Sequence, residues 1–340
     1  MTTKTLFRDD IFLLAQRALS AHGASELQAD STAAGIAAAE CEGVASHGLA
    51  YLITFCQHLL CKKVDGKAVP DVSTTMPGTV VVDAKTGFAH AAIALGLPYL
   101  MAAARTQGVA LLAIRNSYNC GVLGQHTENV AKQGLLCLGF TNAPASIAPW
   151  GGLRPALGTN PWSVAVPGQF GEAALVIDQS ASVVSKSEVM RHRRAEKPIP
   201  LGWALDADGQ PTTNAAEGLA GSMVPSGGYK GVGSALLVEL MAACLTGAMT
   251  GTQASPFSGD KGGPPRTGQL FIAINPAATS GGFFAERLTM VLRAFAAEPG
   301  ARVPGSAKRS ARERASVHGV SIDTSLLDQI LAMTQTAQPG

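Results

Sequence analysis

Charged side chains are scarce in this sequence. Only 15% of its 340 residues are Asp, Glu, Lys or Arg, against 46% hydrophobic residues, and the formal net charge is +2. This charge balance gives no indication of the basic surface that binds nucleic acids or anionic membranes. A chain of this length can bury a large core. The low charge density therefore indicates either a large interior or a surface partly covered by a partner subunit.

Clustered metal ligands and long apolar runs are also missing. The six cysteines form no Cys-x-x-Cys pair and no Cys/His cluster with zinc spacing, and several lie in apolar runs as small hydrophobic residues. The N-terminus lacks the apolar region of a signal peptide. The most apolar helical stretch, 235–249, contains Glu239 and is too short to cross a bilayer. The sequence predicts a cytoplasmic protein with no bound metal and no membrane or nucleic-acid partner.

Helical periodicity dominates the N-terminal part, and strands and helices alternate after it. Apolar spacing predicts helices over Leu6–Ala21, Ser25–Glu42 and Gly48–Leu60. Predicted strands follow at Thr79–Asp83, Val109–Ile114, Leu135–Thr141, Ser163–Val166, Ala174–Asp178 and Gln269–Ile274. Further helices are predicted at Ala91–Gln107, Gly121–Gln133, Gly231–Met249, Phe283–Phe295 and Ser325–Met333, and a loop at Ser255–Gly268. The alternation predicts an α/β protein.

A complete dinucleotide-binding fingerprint is absent. The segment 231–236 begins as Gly-x-Gly but has Leu236 in place of the third glycine, and it follows a turn instead of a clear strand. A Rossmann site is therefore not predicted. The preceding turn, 225–231, places glycines and Lys230 directly before a helix. Such a turn suits a bound phosphate, or it is a glycine-rich helix cap with an exposed lysine.

Four short motifs occur in order along the chain. Ser46-His47-Gly48 lies at the junction of the second and third predicted helices. A histidine held there can exchange protons near neutral pH, although a lone histidine is more often structural. The other motifs are Thr141–Pro144 with Pro149–Gly152, Leu157–Pro161 and Pro225–Gly231. With these motifs the chain, from about Leu6 to about Ile330, resembles the malate/L-lactate dehydrogenase family of type 2.

The resemblance implies a fold, a cofactor and an assembly. This family comprises NAD(P)-dependent reductases without a Rossmann fold, among them sulfolactate dehydrogenase and the reductases of Δ1-piperideine- and Δ1-pyrroline-2-carboxylate. It implies a largely antiparallel or mixed central sheet, NADPH or NADH as cofactor, and a homodimer. It also implies a helical unit of residues 1–75 packed with the helices of 290–340, and a cofactor-binding sheet domain of residues 76–289.

The resemblance also implies which residues contact the cofactor. Three segments and one single position inherit this role: Asp178, Gln179 and Ser180 on the nicotinamide side, Tyr229 and Lys230, Gly305, Ser306 and Ala307, and Ala143. Relatives often carry a serine at the position of Ala143, so only its backbone is left to contact the cofactor. From the residues alone, Asp178 would be a helix N-cap, which is the commoner role of such a residue.

His47 is predicted to be the general acid. It would protonate the alkoxide or amine that forms when a hydride reaches a C=O or C=N carbon, and Ser46 would orient the imidazole or the substrate. Many relatives carry a second histidine where Asn119 stands here. Asparagine can hydrogen-bond the substrate but cannot act as an acid. His126 is a conceivable substitute, although a surface position is predicted for it.

Recognition of a substrate carboxylate also departs from the family pattern. Relatives often place an arginine four residues after the first histidine, where this chain has Tyr51. Arg115, Arg154 and Lys186 are the candidate replacements, and the sequence does not distinguish them. The predicted substrate is a small 2-oxo or 2-hydroxy carboxylate, with a cyclic imino acid as a nearly equal alternative. A non-catalytic cofactor-binding homologue is the alternative from another class.

Overall fold

The computed structural model describes residues 2–335. The strands are β1 (Thr3–Leu6), β2 (Asp71–Met76), β3 (Thr79–Asp83), β4 (Val109–Ser117), β5 (Leu136–Thr141), β6 (Trp162–Pro167), β7 (Ala173–Gln179), β8 (Ala204–Leu205), β9 (Pro211–Thr212), β10 (Ser222–Met223), β11 (Thr267–Ile274) and β12 (Val320–Asp323). The α-helices are α1 (Arg8–Ala21), α2 (Glu26–Cys41), α3 (Leu49–Leu60), α4 (Ala89–Gln107), α5 (Leu123–Ala131), α6 (Lys186–Arg194), α7 (Ala215–Ala220), α8 (Tyr229–Glu239), α9 (Pro276–Thr279), α10 (Phe284–Ala297), α11 (Ser306–His318) and α12 (Thr324–Gln335).

A seven-stranded mixed sheet forms the centre of the fold. Its strand order is β2-β3-β4-β11-β5-β6-β7. Strands β3 and β4 pair in parallel, with α4 as their connection, and the other neighbouring strands pair antiparallel. A Rossmann sheet consists mostly of parallel strands, whereas this sheet has one parallel pair, so the two folds differ in topology. The expectation of a largely antiparallel, non-Rossmann α/β sheet is confirmed.

The two faces of the sheet are covered by different helices. Helices α4 and α5 pack on one face, where Leu112, Ile114 and Phe271 are fully buried. On the other face lie α8 and the π-helical turn Leu240–Cys244 that continues it, against Phe140 and Leu270. The predicted helix Gly231–Met249 is thus shorter than expected. Its α-helical part ends at Glu239, whose buried carboxylate accepts hydrogen bonds from Gly251 N (2.6 Å) and Asn160 Nδ2 (2.8 Å).

A second hydrophobic core joins the two ends of the chain. Helices α1, α2 and α3 bury Ile11, Ile36 and Leu52, and α12 adds Leu327 and Ile330 to the same cluster. Strand β1 pairs antiparallel with β12 beside it. Neither strand was predicted, because each has only four residues and pairs with a distant part of the chain. A small sheet of order β10-β8-β9 lies apart from both cores, with α6 and α7.

Candidate active site

His47 is presented by a single 3-10 turn, Ala45–His47, between α2 and α3. The Glu40 carboxylate at the end of α2 accepts a hydrogen bond from Leu49 N (2.6 Å) at the start of α3, which fixes the angle between the two helices. A side chain at Gly48 would collide with this carboxylate. Glycine directly after His47 leaves the Glu40–Leu49 hydrogen bond undisturbed, which gives the Ser-His-Gly motif a local structural cause.

Four neighbours and burial determine the state of the His47 imidazole. Its Nδ1 lies 3.0 Å from Ser46 Oγ, and its ring stacks on Tyr51 with 6.1 Å between centroids and 20° between planes. Burial lowers the pKa of His47 below its usual value of 6.5, the Asp178 carboxylate opposes this shift, and Lys308 adds to it. His47 is thus a weak base near neutral pH and an acid strong enough to give up a proton readily.

Asp178 is the second-to-last residue of strand β7 and does not cap a helix. Its carboxylate packs against Gly124 of α5 and pairs with Lys308 Nζ at 2.8 Å. Helix α6, which follows in the sequence, is capped by Ser185 instead. Asp178 therefore acts on His47 through its charge, a proximity that the sequence did not reveal.

A cavity of about 200 Å³ opens beside His47. Its walls come from the turn after α2, the end of β4, the segments 141–146 and 159–161, the start of α6 and the loop before β11. Among its lining residues are His47, Tyr51, Asn119, Ala143, Pro144, Ser146, Thr159, Lys186, Met190 and Phe257. The structure thus brings together three predicted positions, His47, Asn119 and Ala143.

Lys186 is the carboxylate-binding candidate that the structure places at the cavity. Its Nζ donates to Ser146 Oγ at 3.1 Å, and burial lowers the pKa of Lys186. Arg115 points elsewhere and pairs with Asp83 at 3.3 Å, with 48% of its side chain exposed. Arg154 is exposed on a turn and does not line the cavity. The alternatives left open by the sequence therefore narrow to Lys186.

Asn119 faces the cavity with a defined amide orientation. Its Oδ1 accepts a hydrogen bond from Gly121 N at 2.7 Å, so its Nδ2 group is the end left for the cavity. Asn119 is accordingly a hydrogen-bond donor there, a role that a neutral histidine fills in only one tautomer.

The surface position predicted for His126 is wrong. His126 lies on the inner face of α5, is 9% exposed, and its Nε2 lies 2.9 Å from Cys120 O. Its ring packs edge-on against His90 at 5.7 Å. His126 is buried by His90 and Phe271, which come from other parts of the chain. The sequence around His126 therefore does not reveal its burial. The carbonyl contact holds His126 away from the cavity lining.

Buried histidines make the stability of the protein depend on pH. Burial, with Lys63 adding to it, lowers the pKa of His58 to about 4, and burial lowers the pKa of His90 to about 3. In the unfolded chain both titrate near 6.5, so between these values the unfolded state binds more protons than the folded state.

Acidification from pH 6.5 towards pH 4 is therefore expected to destabilise the fold. The contribution of His58 is fully present above pH 6.5, and about 3 kcal/mol of it is lost by pH 4. Urea unfolding at a series of pH values would measure this slope. His90→Gln should flatten it and His318→Gln, at an exposed site, should not. A slope unchanged in His90→Gln would contradict the assignment.

The predicted cofactor segments meet around β7. Val176 N donates to Pro304 O at 3.1 Å, and Ser226 N donates to Ala181 O at 2.8 Å. Gly305 has φ +89°, and a Cβ there would lie 3.1 Å from Val176 N. The predicted cofactor contacts thus lie at the end of one strand and on the two segments attached to it, at 178–180, 229–230 and 305–307. None of these residues lines the cavity beside His47.

The chemistry of these segments fits a dinucleotide phosphate. Helices α8 and α11 begin at Tyr229 and Ser306, and the first amides of a helix have no intrahelical acceptor. Lys230 is exposed on the first turn of α8. Two helix starts and a lysine beside one strand offer donors and positive charge to an anion.

A larger cavity, of about 700 Å³, lies among α1, α2, α4, α5 and α11. Of its six charged side chains, all but Arg8 and Asp9 pair with one another. Arg312 forms ion pairs with both Glu128 and Glu42, and Lys132 lies 3.5 Å from Glu128. The cavity beside His47 is therefore the better candidate for chemistry.

Within residues 2–335, no group of three or more His, Cys, Asp or Glu side chains is arranged to hold a metal ion. None of the helices in the same range has the length and apolarity needed to cross a membrane.

Comparisons with known proteins agree with this architecture. A family model described as malate/L-lactate dehydrogenase matches residues 8–331. The chain is 40% identical to (2R)-3-sulfolactate dehydrogenase (NADP(+)) from Chromohalobacter salexigens over 322 residues, covering 94% of this chain and 95% of that protein. It is 37% identical to Δ1-pyrroline-2-carboxylate reductase from Ancylobacter novellus, covering 95% and 96%.

A solved structure shows the same fold. The Δ1-piperideine-2-carboxylate reductase from Pseudomonas syringae pv. tomato superposes with a TM-score of 0.92 at 34% identity, covering 97% of this chain and 100% of that one. The family match, the identities and the superposition each extend over nearly the whole chain. This protein therefore belongs to the malate/L-lactate dehydrogenase family and is an NAD(P)-dependent oxidoreductase.

Proposed function

We propose that this protein reduces the C=N bond of a small cyclic 2-imino monocarboxylate, Δ1-piperideine-2-carboxylate or Δ1-pyrroline-2-carboxylate. The observation that carries the proposal is the composition of the cavity beside His47. It combines one imidazole, the free amide N–H of Asn119, one lysine and several hydroxyl groups with the apolar side chains of Pro144, Met190 and Phe257. One cation matches one carboxylate, and the apolar wall matches the methylene groups of a ring.

The chain's own residues supply binding and proton transfer. Lys186 binds the substrate carboxylate, and Asn119 donates a hydrogen bond that holds the substrate in the cavity. When bound, the reduced nicotinamide supplies the hydride that reaches C2 of the substrate. His47 delivers a proton to the ring nitrogen, so the C=N double bond becomes C–H and N–H. Ser46 holds the imidazole through Nδ1, which leaves Nε2 for this transfer.

The cofactor-binding residues are part of the same proposal. NADPH or NADH would contact Asp178, Gln179 and Ser180 at the end of β7, Tyr229 and Lys230 at the start of α8, Gly305, Ser306 and Ala307 at the start of α11, and the backbone of Ala143. Support comes from the helix starts described above and from Ala143, which lines the cavity that contains His47.

A second candidate is the reduction of a 2-oxo acid or oxidation of a 2-hydroxy acid. The 40% identity to a sulfolactate dehydrogenase favours it. A sulfonated C3 acid carries two strong anions, whereas Lys186 is the cationic side chain among the described residues that line the cavity. Placing the second anion there without a partner would be costly. This imbalance favours the imino acid.

A substrate panel tests the proposal. With NADPH and with NADH, the absorbance of the reduced nicotinamide would be followed with Δ1-piperideine-2-carboxylate, Δ1-pyrroline-2-carboxylate, pyruvate, oxaloacetate and sulfopyruvate. We expect kcat/KM for a cyclic imine to exceed that for sulfopyruvate by at least about tenfold, the value of one unpaired charge contact. The reverse order would establish the oxo-acid candidate instead.

We further propose a cytoplasmic homodimer with two structural units in each subunit. Helix α10 has no buried residue, and Phe283, Met290, Val291 and Phe295 on or beside it are about half exposed, which suits a face covered by a second subunit. Separate cores for the N-terminal helices with α12 and for the central sheet support a division into residues 1–75 with 290–340 and residues 76–289.

A further inference from the structure

Lys63 is a fully buried lysine without a carboxylate partner among the described residues. It is 0% exposed, and no ion pair in residues 2–335 includes it. Its Nζ donates to two backbone carbonyls of the loop before β11, Pro256 O at 2.6 Å and Ser258 O at 3.4 Å. A buried ammonium is costly unless its protons are bound. Docking of this loop is therefore what makes the buried position of Lys63 tolerable.

His58 binds the same loop from the last turn of α3. Its Nε2 lies 3.0 Å from Gly259 O, and a carbonyl can only accept, so Nε2 carries the proton. The neutral ring then accepts at Nδ1, where the Tyr118 hydroxyl donates to it. Tyr118 also packs against Phe257 of the loop, with ring centroids 5.4 Å apart. Phe257 in turn lines the cavity beside His47.

Tyr118 links this anchor to the cavity by its position and by its packing. It directly precedes Asn119, whose Oδ1 accepts a hydrogen bond from Gly121 N and which lines the cavity. The Tyr118 ring also packs edge-on against Phe55, with 5.9 Å between centroids, and Phe55 packs edge-on against Tyr51, which stacks on His47. The anchored tyrosine therefore lies between the loop and the residues of the cavity wall.

We propose that Lys63 and His58 are positioning residues for the substrate. They hold the wall Pro256–Gly259 against the cavity and, through Tyr118, fix the place of the neighbouring Asn119, whose amide N–H faces the substrate. The proposal rests on the proposed function only in placing the substrate in this cavity.

Two variants and two matched controls test the proposal. Tyr118→Phe removes the hydroxyl that donates to His58, and Lys63→Met removes the buried ammonium at nearly constant side-chain length. Their controls are Tyr99→Phe, on the exposed side of α4, and Lys67→Met, at an exposed lysine. For all four, KM and kcat for Δ1-piperideine-2-carboxylate, KM for NADPH, and the rate of tryptic cleavage after Lys261 would be measured. Lys261 is exposed in the anchored loop, so its cleavage reports loop docking without any turnover.

We expect substrate KM to rise about tenfold in Tyr118→Phe and Lys63→Met, the usual effect of leaving a buried partner unpaired. Changes in kcat and in KM for NADPH should be smaller, and cleavage after Lys261 should accelerate in Lys63→Met. The controls should match the wild-type protein. Unchanged substrate KM and unchanged cleavage in variants that fold would overturn the proposal, as would equal losses for substrate and NADPH.

If Lys63→Met does not fold, the substrate KM of the smaller change Tyr118→Phe tests the proposal. A tenfold rise supports it, and an unchanged value overturns it. If the wild-type protein turns over none of the panel, the proposed function fails. Cleavage after Lys261 still decides whether Lys63 anchors the loop, so the two failures are distinguishable.

Discussion

Replacing His47 by alanine is expected to lower kcat for imine reduction by about 10²–10⁴-fold, the range that general acid catalysis contributes. The nitrogen that gains negative character as the hydride arrives would then take its proton from water. The affinity for NADPH should stay within about twofold, because the predicted cofactor contacts lie on other segments. Steady-state rates and a fluorescence titration with NADPH would measure the two quantities separately.

The pH dependence of the wild-type enzyme gives the same residue a second signature. His47 must carry a proton to act as the acid in reduction. Burial lowers its pKa below 6.5. Its protonated fraction therefore declines as the pH rises through that pKa, so kcat/KM for reduction should fall with rising pH and rise for the reverse oxidation.

His318→Ala, at an exposed histidine near the end of α11, is the matched control and should leave both rate and pH profile unchanged. A His47→Ala variant with the wild-type rate, or one that keeps the same pH limb, would remove His47 from the mechanism. Loss of NADPH binding in His47→Ala would instead assign the residue to the cofactor site.

The sequence predicted the parts of this molecule that have a strong local cause. Strand β3 was predicted with its observed limits, because the β-branched run Thr-Val-Val-Val at 79–82 follows the turn residues Pro77 and Gly78. The resemblance placed His47 and Asn119 at the catalytic positions and Ala143 at a cofactor contact, and all three line one cavity in the structure.

Elements without an apolar pattern were missed. Helices α6 and α11 are rich in charge and bury one residue each, Val189 and Ala315, so no helical stripe marks them. The buried state of Lys63 was missed for a related reason. Its environment is made by Pro256 and Ser258, which are close only after folding. Phe257 is the one aromatic residue in a loop, 255–268, that otherwise consists of Gly, Pro, Ser, Thr and charged residues, and it was the one local signal of a cavity wall.

Replacing Lys186 by methionine is expected to raise KM for Δ1-piperideine-2-carboxylate by about 100-fold, since a buried charge-assisted hydrogen bond contributes about 1.5–3 kcal/mol. The change keeps the length of the side chain and its packing in the first turn of α6. It also leaves Ser146 Oγ without its donor, a smaller loss because a hydroxyl can rotate. Initial rates over a wide range of substrate concentration would separate KM from kcat, which should change less.

Arg115→Met is the matched control, because Arg115 pairs with Asp83 outside the cavity and should leave KM unchanged. Lys186→Arg keeps the charge in a longer, planar group and should recover part of the lost affinity.

Burial lowers the pKa of Lys186, so this side chain loses its proton at a lower pH than an exposed lysine. Only the charged form pairs with a carboxylate. The KM of the wild-type enzyme should therefore rise at alkaline pH. That rise should vanish in Lys186→Met. A variant that binds the substrate as tightly as the wild-type enzyme would show that the carboxylate is held elsewhere.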